Sequence, residues 1–193
     1  MIKNRKDLKE YLQEDRISLG IPQKKRIRDI LFPNPIYKFQ RTLRYLEYYT
    51  NCTSFFGKLL WIYYKIKHRN LALKLGFSIP VNVFGPGLSI AHYGTIIVNP
   101  NARIGKNCRI HACVNIGSSA GRNEAPNIGD NVYIGPGALL FGDITIGNNT
   151  TIAANATVNK SSLETNVILA GIPAKVVKQE YPDWTIFNKR RSF

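Results

Sequence analysis

Aliphatic residues recurring at every sixth position predict a mainly β chain wound as a left-handed parallel β-helix, with an α-helical segment ahead of it. The register runs Val98, Ile104, Ile110, Ile116, Ile128, Ile134, Leu140, Ile146, Ile152 and Val158, and its single gap is twice six. A second column lies two residues earlier and is small or β-branched: Ala102, Cys108, Val114, Val132, Ala138, Ile144, Thr150 and Ala156. Glycine often follows the aliphatic residue, as at Gly105, Gly117, Gly129, Gly135 and Gly147. A period of six matches neither the helical 3.6 nor simple strand alternation. It fits short strands joined by tight corners, with the branched residue inward and a small residue at the turn. Three hexapeptides, about 18 residues, then make one triangular coil that pairs with the next through parallel strands.

Two interruptions stand out. Phe84, Ile90 and Ile96 keep the six-residue spacing but lie two residues out of phase with Val98, so something extra sits within Ala91-His92-Tyr93-Gly94-Thr95. A broken repeat beside a histidine marks a place for chemistry. The second interruption, Gly117 to Pro126, is polar and Gly/Ser-rich and reads as an external loop. After Val158 the pattern fades, and Gly171-Ile172-Pro173-Ala174 marks a sharp exit. The β-helix domain is therefore expected over residues 76–178, followed by a tail over 179–193.

Residues 1–75 lack the repeat. Asp7 to Glu14 suits a short helix. Pro33 and Pro35 precede an aromatic segment, Ile36 to Leu75, in which Leu43, Leu46, Tyr49, Phe56, Leu59, Leu60, Tyr63 and Ile66 follow helical spacing, and Gly57 divides it in two. This region holds 17 Lys/Arg against 6 Asp/Glu, so most of the chain's formal charge of +15 belongs to it. It reads as a helical cap on the first coil or on another subunit, or as a basic aromatic helix resting on a membrane surface. Charge alone, with no motif, argues against nucleic acid as a partner. The apolar run Leu59 to Tyr64 is too short to span a bilayer, and no secretory leader is evident, which predicts a cytoplasmic protein, at most at the inner face of the membrane. Cys52, Cys108 and Cys113 are an odd count without metal spacing and read as free thiols.

The repeats Ile104-Gly105, Ile128-Gly129, Ile134-Gly135 and Ile146-Gly147 resemble those of the hexapeptide-repeat acyltransferases. The run Gly87 to Val98, with His92 inside it, is similar to the active-site coil of serine acetyltransferases; Ile134 to Ala154 and Ala170 to Ala174 resemble that family's cofactor coils and exit turn. The likeness spans roughly residues 77–178, and the same branch contains sugar and capsular-polysaccharide O-acetyltransferases. It implies acetyl-CoA as cosubstrate, His92 as catalytic base, and a homotrimer with sites between subunits. It also implies that the pantetheine arm lies against Ser118, Ser119, Pro136 and Ala154. Three departures accompany it. An Asp fifteen residues before the histidine is replaced by Phe77, a second His before a Pro is replaced by Ala125, and the long acidic N-terminal domain gives way to a shorter basic segment.

Histidine suits the chemistry because its ordinary pKa of ~6.5 leaves a neutral base near pH 7. His111 follows Ile110 where the repeat usually has glycine, about one coil from His92, and is expected near it as an acceptor-binding residue. Glu124, beside the absent second His, is a candidate acceptor contact from a neighbouring subunit. Lys160 and Lys175, late in the prism, are candidates for the CoA phosphates, with ordinary surface lysine as the alternative. His68 is expected in packing. A zinc carbonic anhydrase of the same fold needs three His ligands per metal, and only His68, His92 and His111 exist here, so no metal is expected. The resulting expectation is O-acetyl transfer to a sugar hydroxyl of a surface glycan or its precursor. L-Serine is the alternative acceptor, and a non-catalytic trimeric scaffold the alternative of another class.

Overall fold

The computed structural model describes residues 1–22, 31–52 and 57–184. Phe56 and the last nine residues of the tail lie outside them. Among the described residues, three helices with full bounds precede the prism. Helix α1, Arg5–Ser18, is longer than the Asp7 to Glu14 expected, because Asn4 caps it by accepting from the Lys6 and Asp7 N–H groups. Helix α2, Pro35–Asn51, starts with proline at its first turn and an Asn34 cap, and buries Ile36, Phe39, Leu43 and Leu46 along one face. Helix α3, Gly57–Leu75, packs on α2 and runs directly into the first strand.

The prism has three faces of parallel strands. Face I stacks β1 (Phe77–Ser78), β3 (Ile96–Val98), β6 (Val114–Gly117), β9 (Leu139–Phe141) and β12 (Thr157–Val158). Face II stacks β4 (Arg103–Ile104), β7 (Asn127–Ile128) and β10 (Thr145–Ile146). Face III stacks β2 (Ser89–Ile90), β5 (Arg109–Ile110), β8 (Tyr133–Ile134), β11 (Thr150–Ile152) and β13 (Val167–Gly171), with antiparallel β14 (Ala174–Lys178) at its edge. The predicted aliphatic register becomes three internal ladders, one of which runs Ile90, Ile110, Ile134, Ile152, Leu169. Both columns read from the sequence are buried in one continuous core.

The repeat continues past Val158, where the sequence pattern fades. Ile152 pairs with Leu169 and Ile146 bridges to Ser162, so a last coil is present but one to two residues short of the 18-residue period. That contraction removes it from the six-residue register.

One corner uses asparagine to turn. Asn107, Asn131, Asn149 and Asn166 all have φ between 53° and 58°, the left-handed region that asparagine tolerates better than most residues. Their side chains form a ladder, each amide donating to the next at 2.9–3.0 Å.

The helices close the first coil by imitating a further one. Between coils, Gly85 N donates to Ile104 O, Ser89 N to Cys108 O, and Asn107 N to Pro86 O. The equivalent groups of the first coil have no coil before them. Arg44 donates to Phe84 O, Ser18 and Gln40 donate to Leu88 O, and Asp15 accepts from Gly87 N and Leu88 N. The fully buried Arg44 is itself held by Asp15 and Glu47.

Candidate active site

The out-of-phase stretch is a two-residue insertion at the edge between faces III and I. Ile90 pairs with Ile110 and Val98 with Ile116, so eight positions cover in one coil what six cover in the next. The backbone is pinned on both sides of it. Ala91 N donates to Ile110 O at 3.0 Å, Gly94 N donates to Leu75 O at 2.9 Å, and Thr95 O accepts from Cys113 N. The surplus residues are His92 and Tyr93, and both side chains are exposed. Extra length between fixed ends can only bulge outward, which is why the imidazole stands clear of the core.

His111 lies one coil on, its ring centroid 6.1 Å from that of His92 at 54°. It is the one large side chain in an edge column otherwise made of Ala91, Gly135 and Ala153, whose backbones stack through Ala91 N to Ile110 O, His111 N to Ile134 O, Gly135 N to Ile152 O and Ala153 N to Leu169 O. The ring also meets Tyr133 at 5.0 Å, and its Nε2 is buried without a hydrogen-bond partner. Burial, reinforced by Arg109 and by His92, pulls the His111 pKa down to about 4. His111 is therefore neutral at pH 7. No carboxylate among the described residues hydrogen-bonds or ion-pairs with His92. Phe77, where the Asp of the serine acetyltransferase pattern would stand, is buried edge-on against Phe39 at 5.0 Å.

Pro136 and Ala154 are exposed on the same edge as His92, successive coils along it. Ser118, Ser119 and Glu124 are on the next edge, between faces I and II, where the external loop leaves the prism. Gly142 N donates to Gly117 O, Asn99 Nδ2 meets Ser118 Oγ at 3.4 Å, and Asn101 Nδ2 donates to Asn123 O at 2.9 Å, tying the loop to its own edge. Lys160 is exposed on that second edge, and Lys175 is exposed on β14 at the far end of face III. Within one chain the structure thus brings His111, Pro136 and Ala154 to the His92 edge and keeps Ser118, Ser119, Glu124 and Lys160 a face away. A face of five to six residues at ~3.3 Å each is about 15–20 Å wide, too far for one small reacting group to bridge. His68 packs against Phe39 with ring centroids 5.0 Å apart. Sequence reasoning did not single out Arg109 and Tyr133, the outward residues of β5 and β8 that flank His111. Their only signal was their position, each one residue before a core isoleucine, Ile110 and Ile134. Among the described residues no cluster of three His, Cys, Asp or Glu has metal-site geometry.

Residues 125–160 match the bacterial transferase hexapeptide family, described as six repeats. That stretch takes in strands β7 to β12 of the prism. Serine acetyltransferase of Mycobacterium tuberculosis is 32% identical over 115 residues, 55% of this chain and 50% of that protein. Serine acetyltransferase of Staphylococcus xylosus is 37% identical over 98 residues, 50% and 45% of the two chains. The chain thus spans about half the length of the curated relatives it matches. The crystal structure of serine acetyltransferase from Brucella abortus superposes with a TM-score of 0.69 at 24% identity, over 90% of this chain and 69% of that one. The same protein in complex with coenzyme A gives 0.68 at 22% identity, over 91% and 70%. The fold is the left-handed parallel β-helix of these proteins, with helices ahead of it.

Proposed function

We propose that this protein is an acetyl-CoA-dependent O-acetyltransferase in which His92 is the general base. The observation that carries the reading is the two-residue insertion, which lifts the His92 imidazole out of the edge beside the column of Ala91, His111, Gly135 and Ala153. In the reaction, neutral His92 takes the proton of an acceptor hydroxyl as its oxygen attacks the thioester carbonyl. A C–O bond forms, the C–S bond breaks, and the proton on His92 passes to the departing thiolate, leaving CoA-SH and the acetyl ester. A backbone N–H of the Gly117 to Ser119 stretch is the proposed oxyanion donor. Because that stretch lies a face away from His92 in the same chain, the reading requires a homotrimer in which the loop edge of one subunit meets the His92 edge of the next. Ser118, Ser119, Pro136 and Ala154 would then flank the pantetheine arm, small residues that leave backbone accessible, and Lys160 and Lys175 would meet the phosphates. The names of the relatives support acetyl transfer.

Two acceptors follow from different observations. His111 is the ring beside His92, Tyr133 and Arg109 flank His111, and Arg109 lies over the Trp184 ring. No carboxylate among the described residues hydrogen-bonds or ion-pairs with His92, and Phe77 and Ala125 stand where the serine acetyltransferase pattern has Asp and His. These favour a sugar hydroxyl. The relatives are named for serine, and that favours L-serine more directly than any named relative favours a glycan. The test is thiol release from acetyl-CoA with serine and with a panel of sugar acceptors, on wild type and His92→Ala. The expected loss in the variant is at least ~100-fold, the scale of a general base. Retained transfer in His92→Ala would remove the mechanism, and turnover confined to serine would remove the sugar reading.

A further inference from the structure

The feature that acetyl transfer leaves unexplained is α3. At 3.6 residues per turn its 19 residues divide into two apolar faces. One face, with Leu71, Ala72 and Leu75, packs on the core of the prism. The opposite face carries Leu59, Ile62, Ile66 and Leu73, which are uncovered, at 70%, 48%, 57% and 73% exposure. Rails of cations border that stripe on both sides: Lys67 and Lys74 along one flank, Lys58, Lys65 and Arg69 along the other. From Gly57 to Leu75 there is no Asp or Glu. Between α2 and α3 the lysine-lined flank opens into a groove of about 380 Å³ lined by Ile66, Leu71, Lys38, Lys67 and Lys74. Among the described residues no helix is long and apolar enough to cross a membrane.

We propose that α3 seats the protein in the plane of an anionic lipid bilayer, its exposed stripe sunk to the acyl boundary and its lysine rails on the headgroup phosphates. The charge pattern selects this occupant. A second copy meeting the same face about a two-fold axis would set five cations against five cations with no acid between them. A nucleic acid would match the cations but would leave Leu59, Ile66 and Leu73 in water. An anionic bilayer answers both, and tyrosine and tryptophan on the helix suit the interface. Trp61 and Tyr63 already carry Lys65 and Lys67 over their rings at 4.3 and 5.1 Å, which holds those stems along the helix while their ammonium groups stay at the surface.

The placement has a consequence for the reaction, and this part rests on the acetyltransferase reading. The stripe ends at Leu73, and two residues later Leu75 O accepts from Gly94 N of the His92 corner, with Gly76 O accepting from Ile96 N. Docking on α3 therefore holds the candidate base close to the lipid surface, where an acceptor hydroxyl carried on a lipid would be presented.

The experiment uses the full chain and sedimentation with vesicles of phosphatidylcholine alone or with roughly one-third phosphatidylglycerol. Wild type is expected to bind the anionic vesicles at least tenfold better than the neutral ones, and less at ~0.5 M salt, where exposed charges are screened. Ile66→Glu with Leu73→Glu is expected to abolish binding, and Lys67→Glu with Lys74→Glu to weaken it at least tenfold. All four side chains are solvent-facing or line the groove, so circular-dichroism melts should match wild type. Quenching by brominated lipid of Trp61 fluorescence in a Trp184→Phe background, which leaves α3 unaltered, reads contact with the bilayer. Equal binding to both vesicle types, full binding by both double variants, or loss of a larger oligomer in Ile66→Glu with Leu73→Glu without vesicle binding by wild type would each overturn the proposal. His92→Ala is expected to bind vesicles normally, and both α3 double variants to release thiol normally with a soluble acceptor. Failure of the docking and failure of the acetyltransferase reading therefore register in separate assays.

Discussion

Replacing Arg44 with Met tests whether the helical cap is bonded to the first coil as described. Arg44 is wholly buried and spends its guanidinium on five bonds: Asp15 at 2.8 and 3.2 Å, Glu47 at 2.9 Å, Phe84 O at 2.9 Å and Gly85 O at 2.8 Å. Burial works against its charge, but Asp15 and Glu47 outweigh burial and hold its pKa above the ordinary value. Methionine fills much of the volume and removes the charge, leaving two buried carboxylates and two carbonyls without their donor. Breaking one partner out of a buried ion network costs about 3–5 kcal/mol, and the orphaned carbonyls keep the loss at the upper end. For a chain of this size, a loss of that order lowers Tm by about 6–20 °C. Urea unfolding followed by circular dichroism measures it directly. Arg44→Lys should fall between, since an ammonium cannot fork to Asp15 while reaching Glu47 and both carbonyls. A loss below ~1 kcal/mol for Arg44→Met would mean that the network does not bind cap to coil, and the account of the first coil's closure would fail.

Gly135 sits in the His92 edge column, and an added Cβ would come within 2.7 Å of Ala154 N and 2.9 Å of Ile152 O, both backbone of the next coil. Gly135→Ala should therefore cost about 1–3 kcal/mol in urea melts, the range for forced overpacking. Asn131→Gly keeps the left-handed turn and loses only the amide ladder, whereas Asn131→Ala loses both, so the alanine variant should be the less stable by about 1 kcal/mol. His111, with its folded pKa near 4 against ~6.5 for an unfolded chain, should remain neutral by NMR until the pH approaches 4. The sign follows: as pH falls through 6.5 toward 4 the unfolded chain takes a proton that the folded one refuses, so stability declines over that window. His111→Gln should flatten that decline in melts at pH 7 and pH 4.5.

The prism was legible because its cause is local. Each inward Ile, Leu or Val answers to a corner two or three residues away, so the register could be read without knowing which strands pair. Its disturbance at Ala91 to Thr95 was legible for the same reason and turned out to be a count of two surplus residues. The last coil escaped because contraction of one to two residues breaks a strict period without breaking the pairing of Leu169 with Ile152. The turning role of Asn107, Asn131, Asn149 and Asn166 went unread although their spacings of 24, 18 and 17 follow the coil. Arg44 escaped for another reason. In a segment with many cations it looked like one more surface charge, and its partners Asp15, Phe84 and Gly85 stand 29, 40 and 41 residues away. At the candidate site, His92 and His111 were visible from pattern. The separation of Ser118, Ser119 and Glu124 onto another edge required knowing where each corner falls around the triangle.

A stack of near-identical coils has no intrinsic length, and its open ends are templates. Any bare terminal coil offers donors and acceptors in register to the end of a second molecule, which is the geometry of filament growth. Here the starting end is sealed by Ser18, Gln40, Arg44 and Asp15 in the role of a coil that is not there, and on face III the other end is turned back by an antiparallel strand bearing Lys175 and Lys178. A variant that unseats the cap would thereby uncover a seed, and aggregation that accelerates with concentration would accompany its loss of stability.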